Sequence, residues 1–340
     1  MHPRPAHSLS RRRLIGLLAA APFAIACGAS TTPPASTAPG ATGASTAPAP
    51  VAKRRVDTPR GVVEVPGDPK RVVVFDRRGT LGYMLDLGIK PIAAMSAPDI
   101  YRDAFHPLIL AETNGIKPLS YTEPKLDEIA GMNPDLIIGY TADSAMNKAY
   151  DQLSAIAPTV ALQLDLSKPE DALTLLGKVF GREDQAAKLR TDFQNEIKTA
   201  TAKIKNPGTV SIVLPIADQV RIYDATNLAG SIVTGLGAQV VPDLKTLPGG
   251  NTPGATNVGL IHVSYEQVNL ITGDTIIVLV NLSAEQRAIR DKLFNSPLFQ
   301  QIPAVKAKRI VEVESQANFG TAGLKGQRQI LADLAKALSA

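Results

Sequence analysis

Few side chains in this sequence could carry out catalysis. The chain has 340 residues with one cysteine and four histidines, and only His106 and His262 lie outside the first 50 residues. The motifs G-x-S-x-G, S-x-x-K, H-E-x-x-H, the Walker loop and a complete G-x-G-x-x-G are all missing. Two histidines cannot form a three-histidine metal site, although carboxylates could complete one. We therefore predict a protein that is not an enzyme and has no resident cofactor or metal.

The single cysteine, Cys27, lies where an export signal would end. Three arginines at 11–13 precede a 13-residue apolar run, residues 14–26, which has the length of a signal-peptide core and is too short to span a bilayer. The sequence AIACG at 24–28 resembles the lipobox of bacterial lipoproteins. We predict that Cys27 is lipidated and anchors an extracytoplasmic protein to the cell membrane. The alternative is a signal-peptidase-I site with an incidental cysteine, and both the general and the twin-arginine export routes fit.

The positive charge of the chain belongs mainly to this leader. The whole sequence has 36 basic and 31 acidic residues, a net charge of +5, which on its own would suggest a nucleic-acid or membrane-surface partner. Four arginines lie in residues 1–26 without any acid, and removing them leaves 32 basic residues against 31 acidic ones. No long basic run remains, so we predict no nucleic-acid partner.

A tether follows the leader. Residues 28–50 consist only of Ala, Gly, Ser, Thr and Pro, a composition that buries no apolar surface and cannot offset the entropy of ordering. We therefore divide the chain into a signal peptide (1–26), a tether (27–52), an N-terminal lobe (53–168), a helical spine (169–206) and a C-terminal lobe (207–340).

The pattern after the tether predicts an α/β fold. Short apolar runs such as 71–75 and 135–139 alternate with helical segments such as 144–156, which indicates mostly parallel sheets covered by helices. The rhythm breaks at 182–205, a charged segment with apolar residues at helical spacing on one face. We predict two Rossmann-like lobes joined by this long, rigid interdomain helix, which would measure about 36 Å at 1.5 Å per residue.

Several segments, in their order along the chain, resemble one family. The chain is similar to the cluster A (class III) periplasmic binding proteins, which deliver iron–siderophores, haem or cobalamin to an ABC importer. The resemblance covers about residues 58–338. It rests on the opening hairpin and first strand, the LDLGIKP turn, the NPDLII strand, the IAPTV segment and the two C-terminal segments, at residues 61–74, 85–91, 133–138, 156–160, 264–268 and 297–310.

This resemblance implies a ligand cleft between loops at the carboxyl ends of the strands. Bulky ferric siderophores need cations and aromatic walls. The candidate ligand contacts that follow or flank strands are Arg77, Arg78, Tyr101, Arg102, Tyr140, Arg221, Tyr223, Asn227 and Phe319. Phe319 stands where relatives often carry Trp, and the chain has no Trp at all, which favours a hydroxamate or citrate-type ligand over one that needs a stacking platform.

The family also implies a docking acid on each lobe that meets arginines of the permease. By position these are Asp127 and Glu266, with Glu128 as an alternative to Asp127. The leading hypothesis is a monomeric, lipid-anchored solute-binding protein that passes a ferric siderophore to an ABC importer permease. Haem and cobalamin are alternative ligands within the family, with Tyr101 or His106 as a possible axial ligand to haem. A siderophore-processing hydrolase on the same scaffold is the alternative of another class.

Overall fold

The computed structural model describes residues 52–77, 79–96, 104–141, 144–163, 170–247, 259–280, 283–314 and 321–339. All of these residues belong to one compact unit, Ala49–Ala340. The fold opens on an antiparallel hairpin formed by β1 (Arg54–Thr58) and β2 (Gly61–Val65). Gly61 has a φ of 108°, which is backbone that glycine adopts without steric cost and that lets the second strand start directly after the turn.

Five parallel strands form the first sheet, in the spatial order β5-β4-β3-β6-β7. They are β3 (Val72–Val74), β4 (Ala93–Ser96), β5 (Lys117–Ser120), β6 (Leu136–Tyr140) and β7 (Thr159–Leu162). All of these except β5 are buried along their whole length, which explains their continuous apolar runs. The sequence does not predict β5, because it lies at the sheet edge and buries only Leu119.

Helices cover this sheet. They are α1 (Thr80–Asp86), α2 (Leu126–Gly131), α3 (Ser144–Ile156) and α4 (Glu170–Phe180), with a 3-10 helix at Pro107–Glu112. The next helix, α5 (Glu183–Thr201), corresponds to the predicted long helix. It ends four residues before the predicted end, since Lys203 and Ile204 donate to carbonyls only three residues back and so form tight turns. Its 19 residues extend about 28 Å at 1.5 Å per residue.

The second sheet is mixed rather than parallel throughout. Its strands are β8 (Thr209–Ile216), β9 (Gln219–Tyr223), β10 (Gln239–Val240), β11 (Leu260–Ser264), β12 (Thr275–Val280) and β13 (Ile310–Glu314). The order is β11-β9-β8-β12-β13, with β10 beside β8. β8 and β9 form a hairpin, so β9 runs antiparallel to β8, and β11 runs antiparallel to β9. The two-residue connection between Ile216 and Gln219 is too short for the crossover that a parallel pair needs.

The remaining helices are α6 (Leu228–Gly235), α7 (Ala284–Phe294), α8 (Pro297–Gln301), α9 (Pro303–Lys306) and α10 (Gly323–Leu338). A 3-10 helix, Tyr265–Leu270, follows β11 directly. These elements and the two sheets confirm the predicted α/β class with two lobes. The lobe and spine boundaries given above remain predictions.

One hydrophobic cluster runs through both lobes. It includes Val74 and Ile138 of the first sheet, Ile212 and Leu279 of the second, and Leu331 of α10. At the contact of α1 with α10, a Cβ on Gly82 would lie 2.3 Å from the backbone nitrogen of Gly323. Because the two helices approach this closely and share a core, the lobes are packed as one body.

Candidate functional site

The carboxyl ends of the strands in the two sheets lie next to each other. In the first sheet all strands are parallel, so their carboxyl ends share one edge; in the second, β8, β12 and β13 end together at Ile216, Val280 and Glu314. His106, in the connection that follows β4, lies 3.1 Å from Glu314, measured between Nε2 and Oε2. This contact joins the two carboxyl edges, and it therefore locates the region where a ligand would meet both lobes.

His106 is fixed by both of its ring nitrogens. It is only 3% exposed, and its Nδ1 accepts a 3.1 Å hydrogen bond from the backbone nitrogen of Leu108. The proton of the neutral ring therefore sits on Nε2 and is donated to Glu314. An axial bond to haem, considered above for His106, would require one of these two contacts to break.

A buried carboxylate organises the first edge. Asp76 directly follows β3 and is 2% exposed, and its Oδ2 accepts a 3.0 Å hydrogen bond from the backbone nitrogen of Tyr140 at the end of β6. Tyr140 is itself 4% exposed. Asp76 is not among the residues predicted from the sequence, although an acid placed immediately after a fully apolar strand is a signal that could have identified it.

Arg77, the next residue, is held by an aromatic ring. The guanidinium carbon lies 4.0 Å from the centroid of the Tyr121 ring, which is cation–π distance. Its carbonyl oxygen also accepts from the hydroxyl of Thr321 in the second lobe, at 3.5 Å. A small cavity beside these residues is lined by Asp76, Arg77, Phe105, His106 and Thr321, among others. The predicted contacts Arg77 and Tyr140 are thus brought together at one edge.

The second sheet supplies another arginine near its carboxyl edge. Arg221 on β9 stands directly opposite His262 on β11, and its Nε donates a 3.0 Å hydrogen bond to the imidazole Nε2. Desolvation of the ring and, next, the positive charge of Arg221 lower the pKa of His262 below its usual range. The imidazole is therefore neutral near pH 7 and can accept this hydrogen bond.

The other two predicted contacts of this lobe have partners within the fold. Tyr223 shares a sheet face with Arg221 but is 5% exposed and belongs to the core cluster. Asn227 caps α6: its Oδ1 accepts from the backbone nitrogen of Gly230 at 3.0 Å, and its Nδ2 donates to the carbonyl of Asp224 at 2.9 Å. The first hydrogen bond satisfies an orphan N–H group at the start of α6, and the second holds the turn that precedes the helix. Whether either residue also touches a ligand stays a prediction.

The predicted docking acids are exposed at the same edges. Asp127 lies in the first turn of α2, after β5, and Glu266 follows β11. Glu128, the alternative to Asp127, is engaged by Lys117, with 2.7 Å between Oε1 and Nζ. The hydrogen bond from Lys117 lowers the pKa of Glu128, and a hydrogen bond from Ser264 lowers the pKa of Glu266. Both glutamates are therefore ionised at neutral pH.

Comparison with known proteins decides the family. The family model described as periplasmic binding protein matches residues 102–317, which is more than half of the chain. The chain belongs to the periplasmic binding protein family. The resemblance stated from the sequence motifs is thereby confirmed.

Three similar proteins illustrate the match. The probable siderophore-binding lipoprotein YfiY of Bacillus subtilis is 34% identical over 176 residues, 51% of this chain and 53% of that protein, so the alignment spans about half of YfiY. The Fe(3+)-citrate-binding protein YfmC of Bacillus subtilis is 26% identical over 83% of this chain and 85% of its own. The crystal structure of Staphylococcus aureus SirA complexed with staphyloferrin B has a TM-score of 0.71 and 26% identity, covering 84% of this chain and 98% of SirA.

Some predicted site residues of this periplasmic binding protein lie outside the described part of the chain. They are Cys27, Arg78, Tyr101, Arg102 and Phe319. Within the residues that the structure does describe, no group of three or more His, Cys, Asp or Glu side chains is placed to hold a metal ion. In the same part of the chain, no helix combines the length and hydrophobicity needed to cross a membrane.

Proposed function

We propose that this periplasmic binding protein captures a ferric siderophore outside the cytoplasm and delivers it to the permease of an ABC importer. The observation that carries the proposal is a pair of arginines, Arg77 and Arg221, one at the carboxyl edge of each sheet of a family fold. Chelates of Fe(III) are commonly anionic, and guanidinium groups bind oxygen anions through directed hydrogen bonds. The Fe(3+)-citrate in the name of YfmC and the staphyloferrin B bound to SirA support a ferric siderophore as the ligand.

The packing between the lobes supports a prebuilt cleft. The shared core and the His106–Glu314 hydrogen bond tie the two edges before any ligand arrives. A cleft that is already formed loses less conformational entropy on binding than one that must close. The ligand would enter between the lobes with little rearrangement of the protein.

The ligand contacts proposed for this cleft have unequal structural support. Arg77 and Arg221 have side chains that are only half buried, whereas Tyr140, Tyr223 and Asn227 are largely enclosed by the protein. Arginines are therefore the primary contacts in this proposal, and the buried groups shape the walls. The full set is Arg77, Arg78, Tyr101, Arg102, Tyr140, Arg221, Tyr223, Asn227 and Phe319.

Delivery requires anchoring and docking. A lipidated Cys27 and the tether at 27–52 would hold a monomeric carrier at the membrane. Asp127 and Glu266 are exposed on separate lobes, so the two acids could pair with two arginines of the permease at the same time. Because Glu128 is paired with Lys117, Asp127 is the better docking acid of the two.

Ligand titration tests this proposal. The chain has seven tyrosines and no tryptophan, so quenching of tyrosine fluorescence can be followed on addition of ferric citrate, ferric hydroxamates, ferric catecholates, haem and cobalamin. We expect saturable quenching by at least one ferric siderophore, together with an unchanged ligand by mass spectrometry after incubation. Saturation by haem alone with a Soret band, by cobalamin alone, or hydrolysis of the siderophore would contradict the proposal, and so would the absence of saturable binding.

A further inference from the structure

Arg221 and His262 are 41 positions apart in the chain, and the antiparallel pairing of β9 with β11 places them directly opposite each other. The Nε of Arg221 donates to Nε2 of His262 at 3.0 Å. Through this bond the imidazole restrains the plane of the guanidinium group, because Nε lies in that plane and is no longer free to rotate toward other acceptors.

The tautomer of His262 follows from this hydrogen bond. A ring nitrogen that accepts must be unprotonated, so the ring proton resides on Nδ1. The N–H groups of the pair that this hydrogen bond does not use are those of Nη1 and Nη2 of Arg221 and of Nδ1 of His262. Among the described residues, no hydrogen bond from these three nitrogens to another protein group is observed.

The pair also lies on the side of the sheet that a ligand would reach. Arg221 is opposite Leu214 on β8, two residues before that strand ends at Ile216. Leu214 and Tyr223 on the same face belong to the cluster that both lobes share, whereas the alternate residues Val220 and Ile222 pack in a separate cluster on the opposite face. Arg221 and His262 therefore lie on the shared face, level with Leu214 near the carboxyl end of β8.

We propose that Arg221 and His262 form a carboxylate-binding fork, in which Arg221 binds a carboxylate group of the ferric ligand and His262 acts as a positioning residue for the guanidinium. This inference rests on the function proposed above and narrows its ligand to ferric complexes of the citrate type. A guanidinium fork matches the two oxygens of a planar carboxylate, with two parallel N–H to O bonds. A single lysine in this place would supply charge without that geometry.

The fork distinguishes between chemical classes of iron chelate. Citrate-type complexes retain carboxylate oxygens at their surface and carry negative charge. A neutral trihydroxamate complex such as ferrichrome uses its hydroxamate oxygens for iron and offers no carboxylate. Fixing the guanidinium plane in advance therefore favours the first class and adds little for the second.

Binding measurements with four variants test the fork. Dissociation constants for ferric citrate and ferrichrome are measured for the wild-type protein and for R221A, H262A, H262Q and R55A. We expect R221A to weaken ferric citrate binding about 100-fold and H262A about 10-fold, the scale of losing an oriented charge-assisted bond. The amide oxygen of Gln can accept from Nε, so H262Q should stay within about threefold of wild type. R55A removes one exposed arginine on β1 and should bind as wild type does. In R221A and H262A, ferrichrome binding should weaken clearly less than ferric citrate binding does, because ferrichrome offers no carboxylate to the fork.

A double-mutant cycle separates positioning from unrelated structural effects. If His262 acts through Arg221, adding H262A to R221A should cause less than a twofold further loss of ferric citrate affinity. Wild-type affinity in H262A, an equal loss for both ligands, failure of H262Q to rescue, or additive effects in the double variant would each overturn the fork. A wild-type protein that binds ferrichrome but not ferric citrate overturns this inference and leaves the proposed function standing. A wild-type protein that binds no ferric complex overturns both.

Discussion

The carboxylate of Asp86 on α1 accepts a 2.7 Å hydrogen bond from the backbone nitrogen of Leu324 on α10. This bond links the first lobe to the C-terminal helix, at a place where Lys325 also pairs with Glu112 and Arg328 makes a two-pronged contact with Glu196 of α5. Burial raises the pKa of Asp86 to about 6. The hydrogen bond from Leu324 and the nearby cations lower this pKa, but by less than burial raises it. The link between the lobes therefore contains a carboxylate whose ionisation lowers the stability of the folded protein near neutral pH.

Replacing Asp86 with Asn should stabilise the protein at neutral pH. The folded-state pKa of about 6 lies above the ordinary aspartate pKa of 3.8, so as the pH rises the unfolded chain releases this proton at a lower pH than the folded chain does. Below pH 3.8 the group is protonated in both the folded and the unfolded state, so it does not lower the free energy of unfolding. This free energy decreases progressively as the pH rises from about 4 to above 6. A difference of about two pKa units, at about 1.36 kcal/mol each, limits this loss of stability to about 3 kcal/mol.

Urea unfolding of the wild type and D86N at pH 4, 6 and 7.5 measures this effect. We expect D86N to be more stable by about 1–3 kcal/mol at pH 7.5, with the difference shrinking toward pH 4. D151N, which alters an exposed aspartate of α3, serves as the control and should not change the pH dependence. A D86N variant that is less stable than wild type at pH 7.5 would show that the ionised carboxylate is needed there.

The contact between α1 and α10 predicts a large penalty for a single methyl group. A Cβ on Gly82 would lie 2.3 Å from the nitrogen of Gly323 and 2.7 Å from the carbonyl carbon of Ala322. Both are backbone atoms, so a whole helix has to move. We expect G82A to lower the free energy of unfolding by about 1–3 kcal/mol, the usual range for overpacking, despite the better helix propensity of Ala.

Gly131 provides a matched comparison at the end of α2. A Cβ there would meet nothing within 4 Å, so G131A should leave the urea midpoint unchanged or raise it slightly. Equal urea midpoints for G82A and G131A would show that the close contact between α1 and α10 leaves room for a methyl group, contrary to this prediction.

Charge reversal of the proposed docking acids should separate transport from binding. Asp127 and Glu266 lie on different lobes and outside the interlobe contacts, so D127K combined with E266K should leave ligand affinity within about twofold. Uptake of the radiolabelled ferric complex by cells carrying only this variant should fall at least about tenfold, because lysines would then face the arginines of the permease that we propose as docking partners.

E128K is the informative control for this experiment. It removes the solvent-accessible ion pair with Lys117, a kind of contact that adds little to stability, and it should leave uptake near the wild-type rate. Single D127K and E128K variants are therefore compared as well, and a greater loss of uptake in E128K than in D127K would assign the docking role to Glu128. Loss of ligand affinity in the double reversal would place these acids in the ligand site.

The elements that depend on local pattern were predictable from the sequence. Unbroken apolar runs identified β3 and β6, and helical spacing of apolar residues identified α5, since burial on one or both faces is visible directly in the residue order. The ordered motifs also identified the family. By contrast, β5 and β11 lie at sheet edges with few buried residues, so their residue order carries little of that signal.

The arrangement of the site was decided by the tertiary structure. The sequence determined that arginines and tyrosines follow or flank strands, and that two histidines remain for any specific role. Only the fold decided that β9 turns back on β8, which sets Arg221 against His262, and that His106 reaches Glu314 across 208 positions. Hydrogen bonds between distant segments depend on strand order and register, which arise from the packing of the whole core, and no local pattern in the chain encodes them.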